Sequence, residues 1–235
     1  MRIISWNCQG AFRNKTEPAL QCKPDILVIQ ECENAEKIVF KDIHPTDFFW
    51  YSDDGKKGLG LFSFSDYRFR LMDEFDPRFR YILPIEVLGT NFNFTLMAIW
   101  AMNNKENRRA RYIGQVWLAI QHYEKLLEGN VILMGDFNSN KIWDYKSRVG
   151  DHSDVVNKLE ALNISSLYHL YYNQQQGEEK HQTLYMNRNI ERSYHVDYCF
   201  ASSYFKAKLK SLQIGDFNEW LKYSDHCPLI VDFNS

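Results

Sequence analysis

Short apolar or alternating runs divide the chain into strand-sized pieces. They are Arg2–Trp6, Ile26–Gln30, Phe48–Tyr51, Gly58–Phe64, Tyr67–Met72, Tyr81–Leu88, Phe92–Trp100, Val131–Met134, Ser166–Tyr171, Thr183–Met186, Tyr194–Ala201, Ala207–Ile214 and Leu229–Phe233. Each has strand-like length and β-branched or aromatic content. The later part of Phe92–Trp100 is continuously apolar, as in a strand buried on both faces. Helical segments are fewer. From Arg108 to about Glu128, Ile113, Val116, Trp117, Ile120, Tyr123 and Leu127 recur at the spacing of one buried helix face, and Gly129 stands at the C′ position. Thr16-Glu17-Pro18 predicts the start of a short helix, and Ser153 the cap of one running to about Leu162. Many strands with a few interspersed helices predict an α/β (α+β) fold, with sheets packed face to face and helices outside.

A length of 235 residues allows one large domain or two small ones. No repeat, low-complexity tract or linker appears, so residues 1–235 read as a single domain. An aromatic content of 15% excludes a disordered composition. Lys and Arg number 28 against 30 Asp and Glu, which excludes a strongly basic coat but leaves local basic patches open. The longest apolar run, Phe94–Met102, is too short to cross a membrane, and the N-terminus reads as a strand rather than a signal peptide. Five Cys without a CxxC pair argue against disulfide scaffolds and thiolate zinc sites and for a reducing, cytoplasmic setting. No obligate protein partner is evident.

Several polar residues stand at the ends of the apolar runs, where loops bring side chains into a shared cleft. Asn7 follows Ile3–Trp6, and Glu31 follows Ile26–Gln30. Asp136 and Asn138 follow Val131–Met134, Asp197 lies within His195–Ala201, and Asp225-His226 precedes the last run. Singly, each is an ordinary turn residue. Taken in order, Trp6-Asn7, Gln30-Glu31, Gly135-Asp136-Phe137-Asn138, His195-Val196-Asp197-Tyr198 and Ser224-Asp225-His226-Cys227-Pro228 resemble the endonuclease/exonuclease/phosphatase superfamily from residue 2 to residue 231. The closest branch is that of the exonuclease III and apurinic-endonuclease nucleases.

The resemblance implies a four-layer sandwich, with two mainly antiparallel sheets flanked by helices. It also implies a Mg²⁺-dependent phosphodiesterase, with Mn²⁺ as a substitute, that hydrolyses nucleic acid, most readily DNA, as an endonuclease or 3′-exonuclease. By similarity Glu31 is the main metal ligand, with Asp225 and Asn7 completing or supporting the shell; hard oxygen donors of this kind suit Mg²⁺. Asp136 holds or deprotonates the attacking water, and Asn138 orients it or contacts phosphate. His226 faces the scissile phosphate, and Asp197 orients its ring. The alternatives are a phosphatase or phosphodiesterase for a small phosphorylated molecule or nucleotide on the same machinery, and a non-catalytic binding module. The carboxylates retained at Glu31, Asp136, Asp197 and Asp225 speak against the module.

Departures from the branch pattern bear on the substrate. Gln9 replaces a second acidic residue, which weakens any second metal site. Trp100 replaces a Tyr that contacts phosphate or water; it either keeps a substrate contact or packs in the core. Asn103 matches an Asn able to touch phosphate. Tyr194 and Val196 take the places of residues lining a pocket for a baseless sugar. Arg108, Arg109 and Arg111 crowd the predicted helix start, where an anion such as phosphate is favoured over cations; solvated pairing with acids such as Glu106 is the other reading. Lys56-Lys57 read as a polar loop, and Lys206, Lys208 and Lys210 as an exposed strand face. Lys141, Trp143 and Lys146 read as a stacking aromatic flanked by charge, with packing of Trp143 against the sheet as the other reading, and Gln174–Lys180 as a mobile surface loop. With four acids assigned to the site, the remaining surface is slightly basic, which fits a polyanion bound over a short footprint.

Overall fold

The computed structural model describes residues 1–145 and 148–234, so Lys146 lies outside the described residues. One six-stranded sheet runs in the order Leu209–Ile214 (β13), Leu229–Phe233 (β14), Arg2–Asn7 (β1), Ile26–Cys32 (β2), Gly58–Ser63 (β4) and Asp47–Tyr51 (β3). The other runs Arg68–Leu71 (β5), Ile82–Leu88 (β6), Asn93–Trp100 (β7), Val131–Asp136 (β8), Asp197–Ala201 (β12) and Ser165–Ser166 (β9). Leu184–Tyr185 (β10) and Ser193–Tyr194 (β11) form a small hairpin-like pair. Only β1–β2 and β7–β8 are parallel; the remaining pairs are antiparallel.

Alternation along buried strands builds the layers. In β7, Leu96 and Ala98 point into the core between the sheets, which they share with Ile3, Val28, Leu61 and Met134. Met97 and Ile99 point outward onto Ile113, Val116 and Ile120 of Ile113–His122 (α2) and Val155 and Leu159 of His152–Ala161 (α3). In the first sheet Ile4, Trp6, Leu27 and Ile29 pack outward with Ala19 of Thr16–Gln21 (α1) and Trp220 of Phe217–Trp220 (α6). The expected four-layer sandwich is therefore present, and all five cysteines are free.

Several local expectations fail. Arg108–Glu128 is not one helix but a 3-10 turn at Arg108–Ala110, then α2, then a second turn at Glu124–Leu127. Tyr112 breaks it: its φ is 50° and its N–H donates to Met102 O at 2.8 Å, pulling the chain back onto the end of β7. Asp151, not Ser153, caps α3, because the Ser153 hydroxyl and N–H are both spent on Asp144. The run Ser166–Tyr171 is mostly the helix Leu167–Tyr172 (α4). Lys206 and Lys208 sit on the helix Ser203–Lys208 (α5), so only Lys210 lies on a strand. Thr16 lies inside α1, whose cap position is Lys15.

Gln174–Lys180 is not a loose surface loop; it is sewn to buried side chains. Gln174 Oε1 accepts from Tyr168 Oη at 3.0 Å, and Gln176 Oε1 lies 3.0 Å from His152 Nε2. Glu179 is itself buried and bonds His169 and Asn140.

Candidate active site

Asn7, Asp136 and Asp197 stand at strand ends, on the rim where the two sheets meet. Asp136 is the last residue of β8, paired in register with Asp197 at the start of β12. For β8 to lie against β7 here, residue 135 must be glycine: Gly135 has φ 147°, and a Cβ there would stand 1.9 Å from Ile99 O. Asn7 closes β1 in the opposite sheet and spans the gap, its Nδ2 donating to Asp136 Oδ2 at 3.0 Å. Asn138 adds its backbone N–H to Asp136 Oδ1 at 2.8 Å and its amide to Oδ2 at 3.0 Å. The same amide reaches Ala101 O at 2.9 Å, fixing Asn138 against the end of β7.

The turn before β14 is pinned to β1. Trp6 Nε1 donates to His226 O at 2.8 Å, Ser224 Oγ donates to Asn7 O at 2.7 Å, and His226 N–H donates to Ser224 Oγ at 3.1 Å. Thr183 holds the facing strand, its Oγ1 accepting the N–H groups of Val196 and Asp197, both at 3.0 Å. These braces bring His226 Nδ1 to 2.9 Å from Asp197 Oδ2. Ligand atoms of Asp136, Asp197 and His226 all lie within 4.8 Å of one another, and all three residues are buried.

The charges are crowded in a dry place, so their protonation shifts. Burial, reinforced by the neighbouring Asp197 charge, pushes the Asp136 carboxyl up to about 7. Burial opposes charge on His226 too, but the charge and hydrogen bond of Asp197 outweigh it and raise the imidazolium to about 10. His226 is thus a donor at neutral pH, with Nδ1 committed to Asp197. Asp197 Oδ1 is buried without a hydrogen-bond partner among the described residues. An unsatisfied buried carboxylate oxygen is costly in a purely structural pair.

Not every expected site residue converges. Glu31 is at the same rim, with φ 56° and its carboxylate bound by Lys57 Nζ at 2.6 Å. Asp225 is half-buried, and its backbone carbonyl accepts from Tyr185 N–H. Neither joins the tight cluster at Asp136. Trp100 is only 7% exposed and packs on Tyr81 at 4.8 Å between the sheets, so the substrate contact expected of it gives way to packing. Val196 is fully buried in the packing of the sheets, and Tyr194 packs on Trp143 at 4.9 Å. Asn103 is exposed in the connection after β7. Arg108, Arg109 and Arg111, freed from the helix start by the break at Tyr112, instead line a cavity of about 1260 Å³ with Arg148, Tyr112 and Tyr145. Thr183, which carried no motif signal, matters here, and Lys57, read as a polar loop residue or one reaching a backbone phosphate, instead meets Glu31.

The fold, two six-stranded sheets packed face to face with helices outside, is shared with several solved structures. An AP endonuclease from Archaeoglobus fulgidus superposes with a TM-score of 0.74 at 19% identity over 100% of both chains. A 3′ phosphatase named NExo from Neisseria, solved bound to a product DNA hairpin, gives 0.68 at 17% identity over 100% of both chains. A humanized Danio rerio TDP2 gives 0.71 at 18% identity over 100% of this chain and 99% of that one. At these identities the likeness is one of fold. No curated protein matches the sequence. The family model of the endonuclease/exonuclease/phosphatase family matches residues 4–226, and the chain belongs to that family.

Proposed function

We propose that this protein is a divalent-metal-dependent phosphodiesterase that hydrolyses nucleic acid, with DNA as the expected substrate. The observation carrying this reading is the convergence of Asp136 with the His226–Asp197 pair at abutting strand ends. In-line hydrolysis needs a water held and deprotonated on one side and a donor for the phosphoryl oxygens on the other. Asp136, its carboxyl held by Asn7 and Asn138, takes the proton of the attacking water. A carboxyl with a pKa near 7 is a more capable base than an ordinary one. His226 donates through Nε2 to a phosphoryl oxygen, and Asp197 orients the ring from behind.

The remaining donors fit a hard divalent cation. Glu31 and Asp225 offer carboxylates and Asn7 an amide oxygen, and Glu31 already attracts an ammonium group. These residues would hold Mg²⁺, or Mn²⁺ in its place, which would supply Lewis acidity to the reaction. Asn103 and the arginines Arg108, Arg109 and Arg111, on the connection that leaves β7 beside the site, supply contacts to flanking phosphates.

A panel of duplex DNA, abasic DNA, RNA and small phosphoesters with Mg²⁺ tests the proposal. Nucleic-acid hydrolysis that disappears in Glu31→Ala and in Asp136→Ala is the expected result. Rapid turnover of a small phosphoester, with nucleic acids left intact, overturns it.

A further inference from the structure

Lys57 is the last residue of the connection between β3 and β4, and it reaches across the cleft mouth to Glu31. Its Nζ lies 2.6 Å from Glu31 Oε2, while its side chain stays 49% exposed. The contact is built from both sides. Glu31 sits where the β2–β4 register slips between Ile29 and Cys32, and its positive φ turns the residue out of the regular ladder. Gly10 clears the path of the lysine: a Cβ at that position would stand 3.0 Å from Lys57 Cε and 3.2 Å from Nζ. The neighbouring cations are otherwise engaged. Lys15 Nζ donates to the carbonyls of Cys8 and Gly10 at 2.5 and 2.7 Å, and Arg188 donates to Gln9 Oε1 at 3.0 Å. Lys57 is therefore the cation seated on the Glu31 carboxylate among the described residues.

We propose that Lys57 is a built-in counter-ion that occupies Glu31 in the metal-free protein and must be displaced when a divalent cation binds. The inference rests on the reading of Glu31 as a metal ligand. A single hydrogen bond from a half-exposed ammonium to a carboxylate that is still 23% exposed is weak enough to be exchanged. It nevertheless opposes the incoming ion twice, by holding the oxygen and by placing a like charge beside it. Metal affinity is thereby set below what the oxygen donors alone would give, and the loop ending at Lys57 is coupled to occupancy of the site.

Calorimetric titration of Mn²⁺ into the metal-free protein, with no substrate present, tests this. Lys57→Met is expected to tighten Mn²⁺ binding by about three- to tenfold, and Lys57→Arg to leave it near wild type. Lys56→Met is the control for long-range charge, because Lys56 lies on the same loop with its side chain exposed and unattached to Glu31; it should tighten binding less than Lys57→Met. Glu31→Gln should weaken binding whatever stands at residue 57. Equal effects of Lys57→Met and Lys56→Met, or no tightening in Lys57→Met, overturn the proposal while Glu31 keeps its role. Wild-type affinity in Glu31→Gln instead removes the metal-ligand reading on which the proposal stands.

Discussion

Two histidine–carboxylate pairs largely out of solvent, among the described residues, have opposite characters. His226 Nδ1 meets Asp197 Oδ2 at 2.9 Å, and His169 Nε2 meets Glu179 Oε1 at 3.0 Å. Around Glu179 the polar groups are accounted for: Gly177 N–H and Asn140 Nδ2 also donate to its oxygens, and Ser166 and Gln176 engage His169 Nδ1. Burial alone would raise the Glu179 carboxyl, but the bonds from His169, Gly177 and Asn140 outweigh it and hold it down to about 2. The cleft pair has a third ionisable neighbour, Asp136, and an Asp197 oxygen without a partner. A pair whose valences are filled acts as a fastener. A pair left short of partners beside a second carboxylate stores electrostatic tension that a phosphate and a cation would relieve. Geometry of the pair alone does not separate the two; the company it keeps does.

The comparison breaks most visibly in rate. Asp197→Asn should lower kcat by about 10³- to 10⁴-fold, since the ring loses both its orientation and its charged partner. Glu179→Gln should lower kcat by less than about tenfold. Comparable losses in steady-state hydrolysis would erase the distinction. Stability should rank them the other way. Glu179→Gln breaks a satisfied buried network and should cost about 1–3 kcal/mol in denaturant unfolding. Asp136→Asn should abolish hydrolysis yet raise the melting temperature at pH 8, by the equivalent of about 1–3 kcal/mol, because a buried charge is removed. A lower melting temperature for that variant would show that the carboxylate carries no strain.

The smallest effect is in pH dependence, measured with chelator present. Glu179 is depressed on folding, so its stabilisation is present above about 4.5 and fades as pH falls toward about 2. His226 is raised on folding, so its stabilisation is full below about 6.5 and fades as pH climbs through about 10. The melting curves of Glu179→Gln and wild type should therefore converge on the acid side, and those of Asp197→Asn and wild type on the alkaline side. Convergence of both variants at the same end would refute the assignment.

What the sequence disclosed was what it stores locally. The strand ends at Asn7, Glu31, Asp136 and His226 were legible because an apolar run and the polar residue ending it are neighbours in the chain. The two-faced burial of β7 was legible for the same reason, since Leu96 and Met97 carry both cores in one run. The fastening of Gln174–Lys180 was not, because it depends on Asn140, His152, His169 and Tyr168 arriving from other elements. Lys57 reaches Glu31 from 26 positions away, beyond any spacing rule. The helix from Arg108 failed at Tyr112, whose backbone answers to Met102, ten positions back and outside the helical spacing that carried the expectation.

The hold of Trp6 on His226 ties together residues separated by 220 positions. β14, which His226 precedes, enters the sheet between β13 and β1, so the rim is finished only when that strand is inserted. A chain still being synthesised carries Asp136, and then Asp197 29 positions ahead of His226, before it carries their imidazole. The rim is therefore assembled late, and a chain lacking the final strand has nothing to seat His226 between Trp6 and Asp197.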